Sequence, residues 1–247
     1  MLEIASGHPA IDRYLANGYE RVPGMSSRFA AAICGRVIQR QTALGITGDV
    51  VEIGTFEGRF FIALALGLAP GEHALGIDVF EWPDVGVLDR FLTNCDRQEL
   101  SRNRCRAWKT DSGSIAVSDL RSHLAGRAAR FVHIDGDHSP AGLRHDLDLA
   151  HAVLEPRGVV CVDDMLHPRY PTLVTAALDY LYQHREMRVM CIIDRQDIVA
   201  ATKFLICRAE CVSLYEEDLT RTFKVCRFAQ RGEMGNYAAL VLTPAYR

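Results

Sequence analysis

Two groups of aspartates follow apolar runs of the sequence. Asp135 ends the run 130–135, and Asp163 and Asp164 follow the run 158–162. If these runs are neighbouring parallel strands, their carboxyl ends meet at one edge of a sheet. Converging carboxylates repel one another unless a cation neutralises them, and an all-oxygen site suits a hard divalent ion. We therefore predict that Asp135, Asp163 and Asp164 hold Mg²⁺, or else Mn²⁺ or Ca²⁺; the alternative is that these aspartates only cap helices and turn loops.

A histidine lies three residues after Asp135. His138 could be a base, a partner that orients Asp135, or an ordinary residue at a helix start, and the sequence leaves these three roles open. Asp135 is the first choice for the general base because it lies at the predicted metal, and His138 is the second.

A glycine loop lies upstream of both groups, between Glu52 and Gly58. Gly54 would let a ligand approach the backbone closely, and Gly58 would let a helix pack tightly on the strand. The middle glycine of a dinucleotide-binding loop is missing, and Glu52 and Glu57 are acidic. Both features disfavour a phosphate and favour an uncharged or cationic ligand. A tight strand-to-helix turn without any ligand is the alternative.

The ends of the next two apolar runs also carry acids. Asp78 lies 24 positions after Gly54, where an acid would hold a ribose diol. Asp111 and Ser112 follow the third run at the same predicted sheet edge, within reach of an adenine. Asp111 could accept a hydrogen bond from the adenine amine, or it could cap the helix that follows.

The elements that position these residues follow from the alternation of β-rich runs and amphipathic stretches after Gly48, which is typical of βαβ units. We predict an α/β fold, a Rossmann-like, doubly wound and mostly parallel sheet of about seven strands. The predicted strands are 49–53, 73–79, 104–109, 130–135, 158–163, 187–193 and 203–207. The predicted helices start near 58, 85, 114 and 140, and a further helix spans 171–184.

An N-terminal helix precedes the sheet. Ser26 is the predicted N-cap of a helix whose apolar residues repeat with helical spacing. We interpret residues 1–47 as a helical lid and residues 48–247 as the main domain. In the fourth predicted connection, Asp146 falls on the polar face of an amphipathic helix.

The composition limits the classes of protein to which this chain can belong. The chain has 247 residues, 49% hydrophobic and 24% charged, with a net charge of −3, which suits one large globular core and argues against nucleic acid as a partner. The N-terminus does not read as a signal peptide, and the longest apolar run is about half a membrane span, so we expect a cytoplasmic protein without a membrane partner. The eight dispersed cysteines are expected to be reduced core thiols. A homo-oligomer is left open.

Together these motifs resemble a known family. Residues 51–58 with Gly76-Ile77-Asp78 resemble the S-adenosylmethionine (SAM) loop and ribose acid of class I methyltransferases. Residues 134–139, with Val162-Asp163-Asp164, resemble the metal-dependent O-methyltransferase group that includes macrocin O-methyltransferase. The resemblance covers about residues 48–185. It implies SAM contacts at Glu52, Gly54, Thr55, Gly58, Asp78, Asp111 and Ser112, and a metal at Asp135, Asp163 and Asp164.

The resemblance implies methyl transfer from SAM to a hydroxyl of a small molecule. Catechol-type relatives usually have Asn where this chain has Asp164, which favours a sugar or another polyhydroxylated natural-product intermediate as the acceptor. The alternatives are a cephalosporin hydroxylase-like enzyme, a catechol-type O-methyltransferase, a non-catalytic SAM-binding module and an NAD-dependent oxidoreductase. The missing glycine disfavours the last of these.

Overall fold

The alternation of β-rich and amphipathic segments is preserved in the computed structural model, which describes residues 4–197, 199–224 and 231–244. The helices are α1 (Pro9–Asn17), α2 (Arg28–Ala43), α3 (Arg59–Ala65), α4 (Val87–Arg97), α5 (Val117–His123), α6 (Pro140–Val153), α7 (Leu173–Gln183) and α8 (Val212–Thr222). The strands are β1 (Asp49–Ile53), β2 (Ala74–Asp78), β3 (Cys105–Lys109), β4 (Ala129–Ile134), β5 (Leu154–Met165), β6 (Met187–Ile193), β7 (Thr202–Arg208), β8 (Gly232–Glu233) and β9 (Ala238–Leu242).

The strands form one sheet in the order β3-β2-β1-β4-β5-β7-β6-β9-β8. Strands β1 to β5 pair in parallel, which confirms the five consecutive parallel strands predicted from the sequence. β7 is antiparallel to β5 and β6, and β9 is parallel to β6. The described sheet has nine strands rather than about seven, because β8 and β9 extend one edge with a segment whose sequence shows only weak periodicity.

The strand order reverses direction between β1 and β4. The chain first moves outward from β1 to β3 and then returns to place β4 on the other side of β1. The loops that leave the carboxyl ends of these two strands therefore diverge, and a crevice opens between them. This switch point fixes where a ligand can enter the fold.

Helices cover both faces of the sheet, as a doubly wound fold requires. Successive residues of β1 point to opposite sides, so that Val50 packs in one core and Val51 in the other. Residues of α1 to α4 and α8 fill the first core, and residues of α5, α6 and α7 fill the second. The predicted Rossmann-like architecture is confirmed.

The N-terminal segment joins this packing directly. Ten residues of α2 are buried, and α2 contacts both α3 and α8. Ser27, rather than the predicted Ser26, caps α2, because its side chain accepts a hydrogen bond from the Ala30 N–H at 3.0 Å. Two adjacent serines satisfy the same capping pattern, and the Ser26 hydroxyl has other partners in the core. The boundary between residues 1–47 and 48–247 stays a prediction.

Three smaller expectations can be compared with the structure. The seven described cysteines are free and buried, and Cys226 lies outside the described residues. Within the described ranges, no helix combines the length and the apolar character that crossing a membrane requires. Asp146 is fully buried rather than on the polar face of α6. Burial raises the pKa of its carboxyl to about 6.

Candidate functional site

A cavity of about 790 Å³ opens at the carboxyl ends of the parallel strands, at the switch point of the sheet. Its volume lies within the range of small-molecule sites. The predicted site residues that line it are Gly54, Asp78, Asp111, Ser112, Asp135, His138, Asp163 and Asp164. The structure therefore brings both predicted groups of acids to one cavity. Glu52, Thr55 and Gly58 belong to the same loop but are not part of its lining.

Asp78 is held by the backbone around it. Its two carboxylate oxygens accept hydrogen bonds from the N–H groups of Phe56, at 2.8 Å, and Phe80, at 2.7 Å. Each oxygen keeps a second lone pair, so the carboxylate can still accept from a pair of ribose hydroxyls. The two loops that follow β1 and β2 thus fix this acid without using a second side chain.

Asp111 caps a turn at the cavity wall, and its contact with an adenine stays a prediction. Its side chain accepts a hydrogen bond from the Gly113 N–H at 2.9 Å and so caps the short 3-10 turn Ser112–Ser114. The same residue lines the cavity. Capping the turn therefore holds the acid at the cavity wall.

The two glycines of the loop are required by the protein's own packing. Gly54 has a φ of +83°, and a Cβ there would lie 1.8 Å from the carbonyl oxygen of Asp135. The close approach that requires a glycine here is therefore to the backbone of Asp135, directly after β4, and the approach of a ligand to Gly54 stays a prediction. A Cβ at Gly58, whose φ is +89°, would lie 2.9 Å from the ring of Phe91 in α4. Gly58 thus permits close packing against α4.

The two glutamates of the loop are engaged inside the protein. Glu52 is buried, and its Oε1 lies 2.6 Å from Nδ1 of His133. Burial raises the pKa of Glu52, and the bond to His133 only partly opposes this. Glu57 accepts a hydrogen bond from Arg90 at 2.6 Å. The acidity that we attributed to these residues comes instead from other carboxylates of the lining: Asp78, Asp111, Asp135, Asp137, Asp163 and Asp164.

Asp163 is paired with a buried lysine that the sequence did not reveal. The ammonium of Lys203, on β7, contacts Oδ2 of Asp163 and donates to Oγ of Ser26 at 3.0 Å. Oδ1 of Asp163 accepts from the Asp164 N–H at 2.7 Å. Burial disfavours the charged form of both Asp163 and Lys203, but the opposite charge of the partner stabilises each of them. The pKa of Asp163 consequently lies below its usual range and that of Lys203 above it.

His133 links this pair to the glycine loop. Its Nε2 lies 3.5 Å from the Lys203 ammonium and 3.7 Å from Oδ2 of Asp163, while its Nδ1 faces Glu52. The ring of Phe60 covers the group, with its centroid 4.4 Å from that of His133 and 4.9 Å from the Lys203 ammonium. A continuous buried polar chain therefore runs under the cavity from β1 to β7.

His138 sits between two of the predicted site aspartates. Its Nε2 lies 2.6 Å from Oδ2 of Asp164 and 3.7 Å from Oδ1 of Asp135, and its ring stacks on Tyr170. Asp135 and Asp164 together raise the pKa of His138 to about 10. Burial and then the charge of Asp163 raise the pKa of Asp135 to about 7. At neutral pH His138 is thus a cation, and Asp135 is the group that can take up a proton.

The contacts of these acids bear on the predicted metal site. Two overlapping groups have potential ligand atoms within 4.8 Å of one another: His133 with Asp135 and Asp163, and Asp135 with His138 and Asp164. Both oxygens of Asp163 are already engaged, and His138 bonds directly to Asp164. These residues do not fit a three-carboxylate metal centre, because Lys203 and His138 already provide the neutralising charge. The predicted metal stays a prediction.

The cavity does fit SAM. Asp78 and Asp111 provide acceptors for the ribose and the adenine, with Gly54 and Ser112 beside them in the lining. The lining carboxylates that Lys203 and His138 do not neutralise, Asp78, Asp111 and Asp137, disfavour the pyrophosphate of a dinucleotide and favour a cationic sulfonium. The residues that would hold SAM are therefore among those that surround the cavity.

Comparison with known proteins agrees with this geometry. The family model for a methyltransferase domain matches residues 51–165, from the middle of β1 to the end of β5. This part of the chain is similar to a methyltransferase domain. It carries every predicted site residue, including the glycine loop and both groups of acids. No curated protein sequence matches the chain.

Solved structures similar to this chain include three O-methyltransferases. The TDP-rhamnose 3'-O-methyltransferase of calicheamicin biosynthesis is 15% identical, with a TM-score of 0.56 over 82% of this chain and 92% of that one. The O-methyltransferase from Bacillus cereus, solved with S-adenosylhomocysteine (SAH), is 16% identical, with a TM-score of 0.56 over 81% and 90%. TomG from Streptomyces achromogenes, involved in tomaymycin synthesis and solved with SAM, is 17% identical, with a TM-score of 0.56 over 81% and 89%. At these identities the likeness shows the fold.

Sequence reasoning missed Lys203, His133 and the polar contacts of Ser26. One signal was available: the 28 basic residues comprise 25 arginines and 3 lysines, and Lys203 is the only charged residue between Val199 and Cys207. A charge inside an apolar strand needs a buried partner. The signal would have flagged Lys203, but it would not have identified Asp163 as the partner.

Proposed function

We propose that this methyltransferase transfers a methyl group from SAM to a hydroxyl of a small molecule. The observation that carries the proposal is that one cavity contains the acceptors suited to SAM, at Asp78 and Asp111, and a carboxylate suited to take a proton, at Asp135. A site that only bound SAM would have no need for such a base.

The reaction follows from the placement of these groups. SAM supplies a methyl carbon made electrophilic by the sulfonium. Asp78 and Asp111 bind and orient the nucleoside through its hydroxyls and its amine. Asp135 accepts the proton of the acceptor hydroxyl while the new O–C bond forms and the C–S bond breaks, so that a methyl ether and SAH leave. His138 remains protonated between Asp135 and Asp164 and limits the repulsion between those carboxylates.

The acceptor is proposed to be a sugar or another polyhydroxylated natural-product intermediate. The loop after β5 contributes His167, Arg169 and Tyr170 to the cavity, and these side chains can bond to several hydroxyls. Two proteins of similar fold are named for TDP-rhamnose methylation and for tomaymycin synthesis. A divalent metal is not part of this proposal, because Lys203 already pairs with Asp163.

The test uses methyl-labelled SAM with a panel of sugar nucleotides, glycosides, catechols and amines. We expect label on the oxygen of a sugar or glycoside, detected by mass spectrometry with fragmentation. Label on catechols alone would show that the acceptor is a catechol rather than a sugar or glycoside. Label found only on nitrogen, carbon or protein would overturn O-methylation. SAM binding by calorimetry without transfer to any member of the panel would favour a binding module.

A further inference from the structure

We propose that Lys203 is the resident cation of this site, so that Asp135, Asp163 and Asp164 bind no divalent metal and methyl transfer proceeds without one. The part of this inference that concerns turnover rests on the proposed function. The part that concerns metal binding does not, and it can be tested on the protein without any acceptor.

The contacts of Lys203 leave little room for a metal at Asp163. The lysine is 1% exposed, and its ammonium contacts Asp163 Oδ2 and the Ser26 hydroxyl. The remaining oxygen of Asp163 accepts from the backbone N–H of Asp164. A metal bound through Asp163 would have to displace the ammonium or sit beside it, and two cations around one carboxylate repel each other.

The position of Lys203 is built into the sheet. β7 runs antiparallel to β5, and the pairs Val162 with Phe204 and Met165 with Thr202 bracket Asp163 and Lys203. The register is irregular between Val162 and Met165, where Asp164 has a φ of +58°. This irregularity turns Asp164 toward His138 while Asp163 stays opposite the lysine. The pairing is therefore fixed by backbone hydrogen bonds on both sides.

The choice of residue also points to a specific role. The chain uses arginine 25 times and lysine 3 times, yet a lysine occupies this buried position. A compact ammonium can approach one carboxylate oxygen as a point charge, whereas the planar guanidinium is larger and forms two parallel bonds. In size and charge, the ammonium is the side chain that most resembles a single bound cation. Lys203 thus acts as a positioning residue, through Asp163.

The binding test is a titration with Mn²⁺, followed by electron paramagnetic resonance of the free ion. We expect wild type and Asp164→Asn to bind the same amount of Mn²⁺, because the candidate site of wild type holds none. Lys203→Met should gain one Mn²⁺, bound at least tenfold more tightly than any residual Mn²⁺ at this site in wild type, because Asp163 is then freed. Lys203→Met/Asp164→Asn should lose that gain. Lys224→Met, which removes an exposed lysine after α8, is the matched control and should behave as wild type.

Another group of potential ligands requires a separate control. His151, His184 and Glu186 lie together away from the cavity, and binding there would survive Asp164→Asn. Only the Mn²⁺ that Asp164→Asn removes is assigned to the candidate site. If wild type binds such an ion, or if folded Lys203→Met gains none, the proposal is overturned. If Lys203→Met does not fold, the test uses wild type and Lys203→Arg instead. Neither protein is expected to bind a Mn²⁺ ion that is lost on adding Asp164→Asn. Binding of such an ion by either protein overturns the proposal.

Turnover gives a second readout. Once an acceptor is found, wild type should keep its rate within twofold in excess EDTA, and added Mg²⁺ should not raise it. A rate abolished by EDTA and restored by Mg²⁺ would overturn the proposal. If no acceptor is methylated, the proposed function fails. The Mn²⁺ titration still tests whether Lys203 takes the place of a metal ion.

Discussion

The two halves of the cavity hold their carboxylates by different means. At the ends of β2 and β3, Asp78 and Asp111 accept from backbone N–H groups of the loops that follow β1, β2 and β3. At the ends of β4 and β5, Asp135, Asp163 and Asp164 are neutralised by side chains, among them Lys203 from a distant strand. An acid that is held by nearby backbone can be recognised in a sequence. An acid that is held by a remote cation cannot, because its partner has no fixed spacing.

The two halves of the cavity should also differ in how substitutions affect the stability of the protein. The first half depends on hydrogen bonds at the cavity wall, so its substitutions should affect ligand binding more than folding. The second half contains a buried ion pair, and removing one partner of such a pair leaves an uncompensated charge. Its substitutions should therefore affect both stability and turnover. Substitutions in each half test this division.

The largest effect is expected from breaking the buried pair. Lys203→Met should lower the free energy of unfolding by about 3–5 kcal/mol, because Asp163 would remain buried without its cation. Urea denaturation measures this change. Adding Asp163→Asn should recover part of the loss. Lys224→Met should stay within about 0.5 kcal/mol of wild type, as exposed substitutions usually do. An equally stable Lys203→Met would refute the importance of the pair.

The next effect concerns the proposed base. Asp135→Asn should lower kcat by about 10²-fold or more, since the amide cannot take up the hydroxyl proton. SAM binding, measured by calorimetry, should change little. His138→Ala should cost less than Asp135→Asn, because His138 is already protonated. The matched control is Asp179→Asn on α7, an exposed aspartate paired with Arg144, which should keep full activity. Full activity in Asp135→Asn would exclude this residue as the base.

A smaller effect is expected in the cofactor half. Asp78→Ala should weaken SAM and SAH binding by about 1–3 kcal/mol, because two ribose hydroxyls lose a charged acceptor. Calorimetry gives the affinity, and a thermal melt checks that the loops around Phe56 and Phe80 still fold. Asp148→Ala, at an exposed position of α6, serves as the control. Unchanged SAH affinity in a folded Asp78→Ala would show that the ribose is held elsewhere.

The last prediction, which changes no residue, concerns the dependence of the rate on pH. The groups that surround Asp135 are Asp163, His138, Lys203 and His133, and burial together with the charge of Asp163 raises the pKa of Asp135 to about 7. A base acts in its deprotonated form, so kcat should rise about tenfold per pH unit below 7 and level off above it. His138 stays charged throughout, since its pKa is raised to about 10. A flat profile between pH 5 and 8 would contradict the assignment.

Much of the fold was predictable because it depends on local patterns. The parallel strands β1 to β5 and the helices between them follow the alternation of apolar and amphipathic segments. The errors arose where local patterns are ambiguous or weak. Ser26 and Ser27 are both acceptable caps, Asp146 was placed by helical periodicity alone, and the edge strands β8 and β9 are short.

By itself, the sequence determined which acids reach the cavity. Parallel strands end at one edge of a sheet, so residues at strand ends such as Asp78, Asp135 and Asp163 converge whatever the rest of the chain does. The glycine loop follows from the same local spacing, and the methyltransferase class was indicated by the resemblance of these motifs to a known family. These features needed no knowledge of contacts between distant segments.

Only the tertiary structure decided how those acids are neutralised. Lys203 is 40 residues from Asp163 along the chain and reaches it because β7 pairs antiparallel with β5. Ser26 comes from the segment before α2, 137 residues away from Asp163. A charge inside an apolar strand must find a partner, but the fold chooses that partner, since the cost of burying the charge is met by whichever group the packing brings into contact.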